Sequence, residues 1–419
     1  MLVTQSALAI PFEAIARAVS EHAAELVAIR RDLHAHPELA RGEVRTTSVV
    51  SERLERAGIG VRHLRGTGLV ADLGATQPTR RIALRADIDA LPIREQTGLD
   101  FASATDGVSH ACGHDVHTTA LIGAALALRS VEERLVAAGI GARLIFQPAE
   151  EVMPGGAEDV VAQDGLVGVD RIFALHCDPS LDAGQVGLRV GAITAAADQV
   201  EVTLSGRGGH TSRPHLTQDL TYALAKVVTD VPGVLSRRLD PRAGAALVWG
   251  SVHSGGAHNV IPSIGKVGGT LRMLDASVWE GVERLLEEVV HAVVAPYAVQ
   301  AEVLITKGVP PVVNDAACID ALTAAVTGAG AHVAPTPQSL GGEDFAWYLT
   351  HVVGAMARLG TRTPGGPTYD LHRGDLVVDE AAIGIGARTL AGAVFTAASS
   401  AAGSPGLGGI APLAAVADR

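Results

Sequence analysis

The segment His110-Ala-Cys112-Gly-His114-Asp115-Val-His117 gathers a thiol and three imidazoles into one short stretch. A cysteine and a histidine two positions apart, on a glycine turn leading into a helix, can point at one cation. Thiolate and neutral imidazole suit borderline divalent ions such as zinc. A structural zinc finger is excluded by count, because no second cysteine pair stands at ligand spacing. On the residues alone, Cys112 is either a ligand or a buried, inert thiol. His110 and His117 fit supporting or helix-capping roles better than ligation.

Further donors stand at the ends of apolar runs. Arg81–Ile88 runs into Asp87 and Asp89, Ala142–Phe146 into Glu150-Glu151, and Arg171–Leu175 into His176. Ligands of open α/β sheets bind beyond the carboxyl ends of the strands, so these groups are expected to converge on one edge. Adjacent side chains on an extended segment point opposite ways. One acid of the Glu pair is therefore expected to bind metal while the other faces a substrate water. A divalent cation lowers the pKa of a water it holds to about 7. A carboxylate in reach takes the proton and returns it to the leaving amine. A solvated acidic loop is the alternative; the position after an apolar strand and before Pro154-Gly155-Gly156 argues for a site.

The elements that must place these groups follow from periodicity. Helices are expected at Phe12–Leu33, ending before His36-Pro37, at Arg45–Ala57 and at Val116–Leu135. Strands are expected at Gly68–Leu73, Arg81–Ile88, Ala142–Phe146 and Arg171–Leu175. Alternating strands and helices imply an α/β architecture with a largely parallel sheet. The middle differs: Gln199–Leu204, Thr217–Arg238, Ala245–His253, Lys266–Met273, Ala276–Pro296 and Ala301–Thr306 read as βαββαβ, a ferredoxin-like plan. The expected organisation is a first catalytic part over 1–190, an inserted domain over 191–307, a second catalytic part over 308–396 and a disordered Ala/Gly/Ser/Pro-rich tail over 397–419.

The chain has 419 residues, 47% hydrophobic and 19% charged, with a net charge of −12 and no basic cluster of the kind nucleic-acid binders carry. Three cysteines are too few for a disulfide scaffold and fit a reducing compartment. The first positive charge is Arg17, so no basic region precedes the apolar start, and no charge-free apolar run reaches about 18 residues. A cytoplasmic location without membrane or nucleic-acid partners is the expectation.

Taken together, the motifs Arg31-Asp-Leu-His-Ala-His-Pro-Glu-Leu39, Arg85-Ala-Asp-Ile-Asp-Ala-Leu-Pro92, Ala111-Cys-Gly-His-Asp115, Phe146-Gln-Pro-Ala-Glu-Glu151, Ala174-Leu-His176, Gly208-Gly-His210, His258-Asn-Val-Ile-Pro262, Gly341-Gly-Glu-Asp-Phe345 and Leu371-His372 resemble the metal-dependent aminoacylase/carboxypeptidase-G-like metallopeptidases. The likeness is to their amidohydrolase subfamily of hippurate hydrolases, N-acyl-amino-acid deacylases and auxin-conjugate hydrolases. It runs from about Arg30 to Leu390. It implies an α/β catalytic domain with a mixed or parallel sheet between helices, plus the inserted βαββαβ unit as a lid and dimerisation domain. It implies two divalent cations, zinc or manganese, on Cys112, His114, Glu151, His176 and His372, with either a thiolate or a carboxylate bridging. Glu150 would be general base and acid, and Asp89 would orient a ligand or tune Glu150. Asp87 stands where relatives outside the subfamily carry a metal-binding histidine. His210 would stabilise the oxyanion, often of the partner subunit, while Asn259 and Arg272 would hold the substrate. The implied activity is hydrolysis of a small N-acyl-L-amino acid by a homodimer. A dipeptidase or carboxypeptidase, and a catalytically silent ligand-binding protein, are the competing readings. Arg373-Gly-Asp after His372 and Val152-Met-Pro after the Glu pair depart from the family pattern, and neither touches an implied ligand.

Overall fold

The computed structural model describes residues 10–400. The chain divides into two compact units. One comprises residues up to Gly191 with Val313–Pro337 and the chain from Asp344 onward, and the other comprises Ala192–Val312 with Gln338–Glu343.

The first unit is built on an eight-stranded sheet in the order Val61–His63, Leu69–Gly74, Ile140–Gln147, Arg80–Asp87, Arg171–Asp182, Val353–Arg362, Gln185–Leu188, His332–Pro335. The sheet is mixed. Arg80–Asp87 is parallel to both its neighbours, and Val353–Arg362 is parallel to Arg171–Asp182. Leu69–Gly74 and Gln185–Leu188 join it antiparallel. The central strands are buried along nearly their whole length, as expected of strands covered on both faces. The helix His114–Ser130 is buried from His114 to Leu128 and packs against Ala381–Ser399. Small residues allow the approach: a Cβ on Gly123 would come within 2.8 Å of the Ala387 Cβ.

Two long helices expected from periodicity are each broken in two. Phe12–Glu21 and Ala23–Ala35 part at His22, and His114–Ser130 and Glu132–Ala138 part at Val131. Across the first break the buried positions Ile15, Ala18, Val19, Leu26, Arg30 and Leu33 keep one helical spacing, so the running periodicity carries no sign of it. Ala381–Ser399, which contains Arg388, is long and apolar enough to cross a membrane by length and composition, yet 78% of that window is buried in this fold. Residues 397–399, expected in the tail, are instead the last turn of this helix, which runs to Ser399. The rest of that tail, and the N-terminal stretch read for a leader, lie outside the described residues.

The second unit is a four-stranded antiparallel sheet in the order Ala246–Ser254, Ile264–Met273, Ala196–Ser205, Gln300–Val309, with helices Leu220–Arg238 and Ala276–Val294 packed on it. Sequence order βαββαβ with this strand order is the ferredoxin-like arrangement. Asp219 and Asp275 cap the two helices by accepting from Tyr222 N, and from Ser277 N and Val278 N. Gln338–Glu343 returns to this unit, with Ala195 N donating to Gly341 O and Ser339 N to Ile193 O.

Candidate metal centre

Three loops and the strand Arg171–Asp182 carry the donors of the first unit. Gly113, in the left-handed region (φ 86°), turns the chain into the helix that starts at His114. No other residue fits there, since a Cβ would come within 2.8 Å of Cys177 Sγ. This turn sets Cys112 Sγ 3.5 Å from His176 Nε2. The donor atoms of Cys112, His114 and His176 lie within 4.8 Å of one another, and so do those of Cys112, Glu151 and His372. His114 Nε2 is 3.7 Å and His372 Nε2 is 3.4 Å from Glu151 Oε1. His372 holds a positive φ of 59° and is fastened to the cysteine loop by its own N–H, which donates to Ala111 O. All five implied ligands are therefore brought together from distant parts of the chain.

Their orientation comes from neighbours. Asp89 Oδ1 lies 3.3 Å from His114 Nδ1 while its Oδ2 accepts from Glu151 N. One carboxylate thus fixes one ring and one backbone, and turns His114 Nε2 inward. His176 Nδ1 donates to Cys177 O, leaving Nε2 as a lone pair facing Cys112. Burial and then the Arg358 guanidinium push the His176 pKa well below the usual range. His114 goes the other way: burial alone would lower its pKa, but Asp87, Cys112 and Asp89 raise it well above normal. The field at that point favours positive charge. Burial pushes the Cys112 thiol up, so its thiolate needs a cation beside it.

A divalent cation fits this donor set. His114 Nε2 and Glu151 Oε1 are buried and have no hydrogen-bond partner among the described residues, which is expensive unless a ligand satisfies them. The other acidic-histidine cluster, Asp87 with His114 and His117, is already spoken for. Asp87 Oδ1 takes the His117 Nδ1 proton at 2.6 Å and Oδ2 takes Arg85 Nη1 at 2.7 Å, while His117 Nε2 accepts from Cys177 N.

Glu150 and Glu151 do not point opposite ways. Both place a carboxylate oxygen within 4.8 Å of His114 Nε2. The segment is a turn, not a strand, because Ala149 sits at φ 57°. Glu43 holds that turn. It is fully buried, its Oε1 accepts from Ala149 N and Arg41 N, and its Oε2 accepts from Thr67 Oγ1. Helix capping by His110 or His117 is not seen, since the helix begins at Gly113 without a side-chain cap. His110 is buried with both ring nitrogens unpartnered among the described residues, and burial lowers its pKa to about 4.

The supporting groups missed in the sequence lie one layer out. Arg30 Nε and His34 Nδ1 both meet Asp115 Oδ2, at 2.7 and 2.8 Å, and His34 Nε2 meets Glu95 Oε1 at 3.1 Å. Burial pulls the His34 pKa down, but Asp115 and Glu95 outweigh it and raise it to about 9. Arg85 bridges Gln147, Asp87 and Asp344. The available signal was spacing: Arg30 and His34 stand at i and i+4 on one helical face.

In the second unit, His210 lies on a two-residue strand paired with Val260–Ile261. Its Nδ1 accepts from Ser212 N, so the ring proton is on Nε2. Gly208 permits this pairing, since a Cβ there would fall 2.3 Å from Ile261 O. Asn259 adjoins it through Thr211 N, which donates to Asn259 O, and Arg272 Nη1 donates to Leu340 O at 3.2 Å.

Residues 83–396 match the model of the family described as peptidase family M20/M25/M40. The chain is 38% identical over 360 residues to an N-acetyl-L-cysteine deacetylase of Bacillus subtilis (strain 168), covering 86% of this chain and 85% of that one. It is 37% identical over 303 residues to an N-acyl-L-amino acid amidohydrolase of Geobacillus stearothermophilus, covering 72% and 81%. The crystal structure of the Bacillus subtilis YXEP protein, titled a dinuclear metal binding peptidase, superposes with a TM-score of 0.78 at 32% identity, covering 90% of this chain and 98% of that one. A Rhodococcus jostii (strain RHA1) relative bearing a glutamate–cysteine ligase name is 48% identical over 371 residues, and the chain spans 46% of its length.

Proposed function

The chain belongs to peptidase family M20/M25/M40, and from that membership we propose that it is a metal-dependent amidohydrolase cleaving the amide bond of N-acyl-L-amino acids. The observation that carries this reading is the convergence of Cys112, His114, Glu151, His176 and His372, with His114 Nε2 and Glu151 Oε1 buried and without a hydrogen-bond partner among the described residues. The names of the Bacillus subtilis and Geobacillus stearothermophilus relatives support amide hydrolysis of such conjugates.

These five side chains would hold two divalent cations, zinc or manganese, and Cys112 and His114 each belong to more than one of the donor groups. When bound, the cations polarise the scissile carbonyl and activate water. Glu150, whose Oε2 lies 4.0 Å from His114 Nε2, takes the proton of the attacking water and returns it to the leaving amine nitrogen. Asp89 keeps His114 Nε2 directed inward. His210 offers its Nε2–H to the developing oxyanion, and Asn259 with Arg272 holds the substrate α-carboxylate. The chain acts as a cytoplasmic homodimer through the inserted unit. The edge strand Ala246–Ser254 supports this, with Val248 62% and Val252 51% exposed, as does the hazard of an uncovered apolar edge.

The test is metal analysis followed by a panel of acetyl-, benzoyl- and aminoacyl-amino acids on metal-reconstituted protein. About two ions per chain with turnover of acyl substrates is the expected result. Preference for aminoacyl substrates would make it a dipeptidase or carboxypeptidase. No metal uptake and no turnover would leave a silent ligand-binding protein.

A further inference from the structure

Arg358 stands directly beside the metal centre, yet nothing in the proposed chemistry uses it. On the strand Val353–Arg362 it is paired in parallel register with His176 and in antiparallel register with Gly187. Paired residues project on the same face of a sheet, so the guanidinium shares the face from which His176 reaches Cys112.

Arg358 is only 8% exposed, and among the described residues its side chain makes no hydrogen bond or ion pair. The other buried arginines are all matched. Arg30 meets Asp115, Arg53 meets Glu25, Arg85 meets Asp87 and Asp344, Arg143 meets Asp72, and Arg171 meets Ala397 O. On the same face, Asp178 accepts from Ser180 N and Oγ and forms no ion pair with Arg358. A guanidinium has five donors and no acceptor, and no Arg358 nitrogen is among the fully buried unpartnered atoms, so its donors face open space that a carboxylate can enter. The space around it is kept open by a glycine. A Cβ on Gly187 would come within 3.2 Å of the Arg358 Cβ and 2.9 Å of the Thr336 Cβ. Just past the end of the strand that carries Gly187, Arg189 donates from Nη1 to Thr336 O at 3.4 Å, while its Nε is buried without a hydrogen-bond partner among the described residues.

We propose that Arg358, seconded by Arg189, is a carboxylate subsite of the catalytic unit, and that the preferred substrates are N-acyl amino acids bearing a second carboxylate on the acyl group or on the amino-acid side chain. The proposal rests on the amidohydrolase reading and names its substrate class. Arg272 takes the α-carboxylate common to all such substrates; Arg358 takes the additional one. A guanidinium suits this because its fork pairs with both carboxylate oxygens.

The experiment compares matched substrates on the metal-loaded wild type, Arg358→Met and Arg358→Lys. N-succinyl-L-alanine is set against N-butyryl-L-alanine for the acyl side, and N-acetyl-L-glutamate against N-acetyl-L-glutamine for the side chain. The wild type is expected to favour the charged member of one pair by about tenfold or more in kcat/KM. Arg358→Met should abolish that preference, bringing the charged-to-neutral ratio of kcat/KM to about one when the variants are compared at equal bound metal, and Arg358→Lys should fall between because it lacks the fork. Equal loss on charged and neutral members, or an unchanged preference, overturns the subsite. Calorimetry of succinate against butyrate separates the two layers of inference. A succinate advantage that disappears in Arg358→Met, without any amide turnover, would sink the amidohydrolase reading and keep the subsite. Turnover without such an advantage in either assay would do the reverse.

Discussion

In the catalytic unit each group at the candidate centre leans on a second, buried one. Asp89 orders His114, Cys177 O orders His176, Glu43 holds the turn before Glu150, and Arg30 with His34 grips Asp115 next to His114. In the inserted unit His210 and Asn259 are exposed, and His210 rests only on Ser212 and a short strand pair. The contrast separates two tasks. Holding cations demands donors fixed before the metal arrives, and burial makes each fixed donor count. The substrate-holding role proposed for His210 and Asn259 is compatible with looser, solvated groups.

Substitutions in the two regions should therefore fail differently. Glu150→Gln should lower kcat by about a thousandfold with metal content unchanged by elemental analysis; near wild-type turnover would remove Glu150 from its role. His210→Ala should cost about a hundredfold in kcat, again without loss of metal. A drop in bound metal there would contradict the division drawn here. His34 gives a pH signature of the buried network. Its folded-state pKa of about 9 exceeds the ordinary 6.5, so its stabilisation is complete below 6.5 and vanishes as pH rises through 9. Urea unfolding should show up to about 3 kcal/mol lost across that window, absent in His34→Gln. Asp89→Asn should weaken metal binding by about tenfold to a hundredfold, read by chelator competition. Glu43→Gln should cost about tenfold in kcat with KM and metal retained, because a misplaced Glu150 carboxylate loses proton-transfer geometry.

Much of this was readable before any coordinates. Apolar runs leading to Asp87 and Glu150 announced strand ends that share an edge, the strand carrying His176 runs on to Asp182, and the alternation in the middle segment spelled out βαββαβ. Other features were hidden for physical reasons. The break at His22 leaves the helical spacing of buried residues uninterrupted, so periodicity runs straight through it. The Glu150-Glu151 geometry depends on a left-handed Ala149 that only Glu43, more than a hundred positions away, explains. The mixed sheet depends on pairings that local patterning does not encode. Arg358 shows no signal at all in sequence, since an arginine in a strand is ordinary until its neighbours prove to offer no acceptor.

The return of Gln338–Glu343 to the inserted unit has a practical consequence for anyone cutting the gene. The polypeptide passes between its two bodies at four points, not two. A fragment spanning Ala192–Val312 would leave the Ala195 amide and the Ile193 carbonyl bare, and would strip Arg272 of Leu340 O. An isolated inserted body would need the hexapeptide grafted back, and circular permutation offers a cleaner route to it than simple excision.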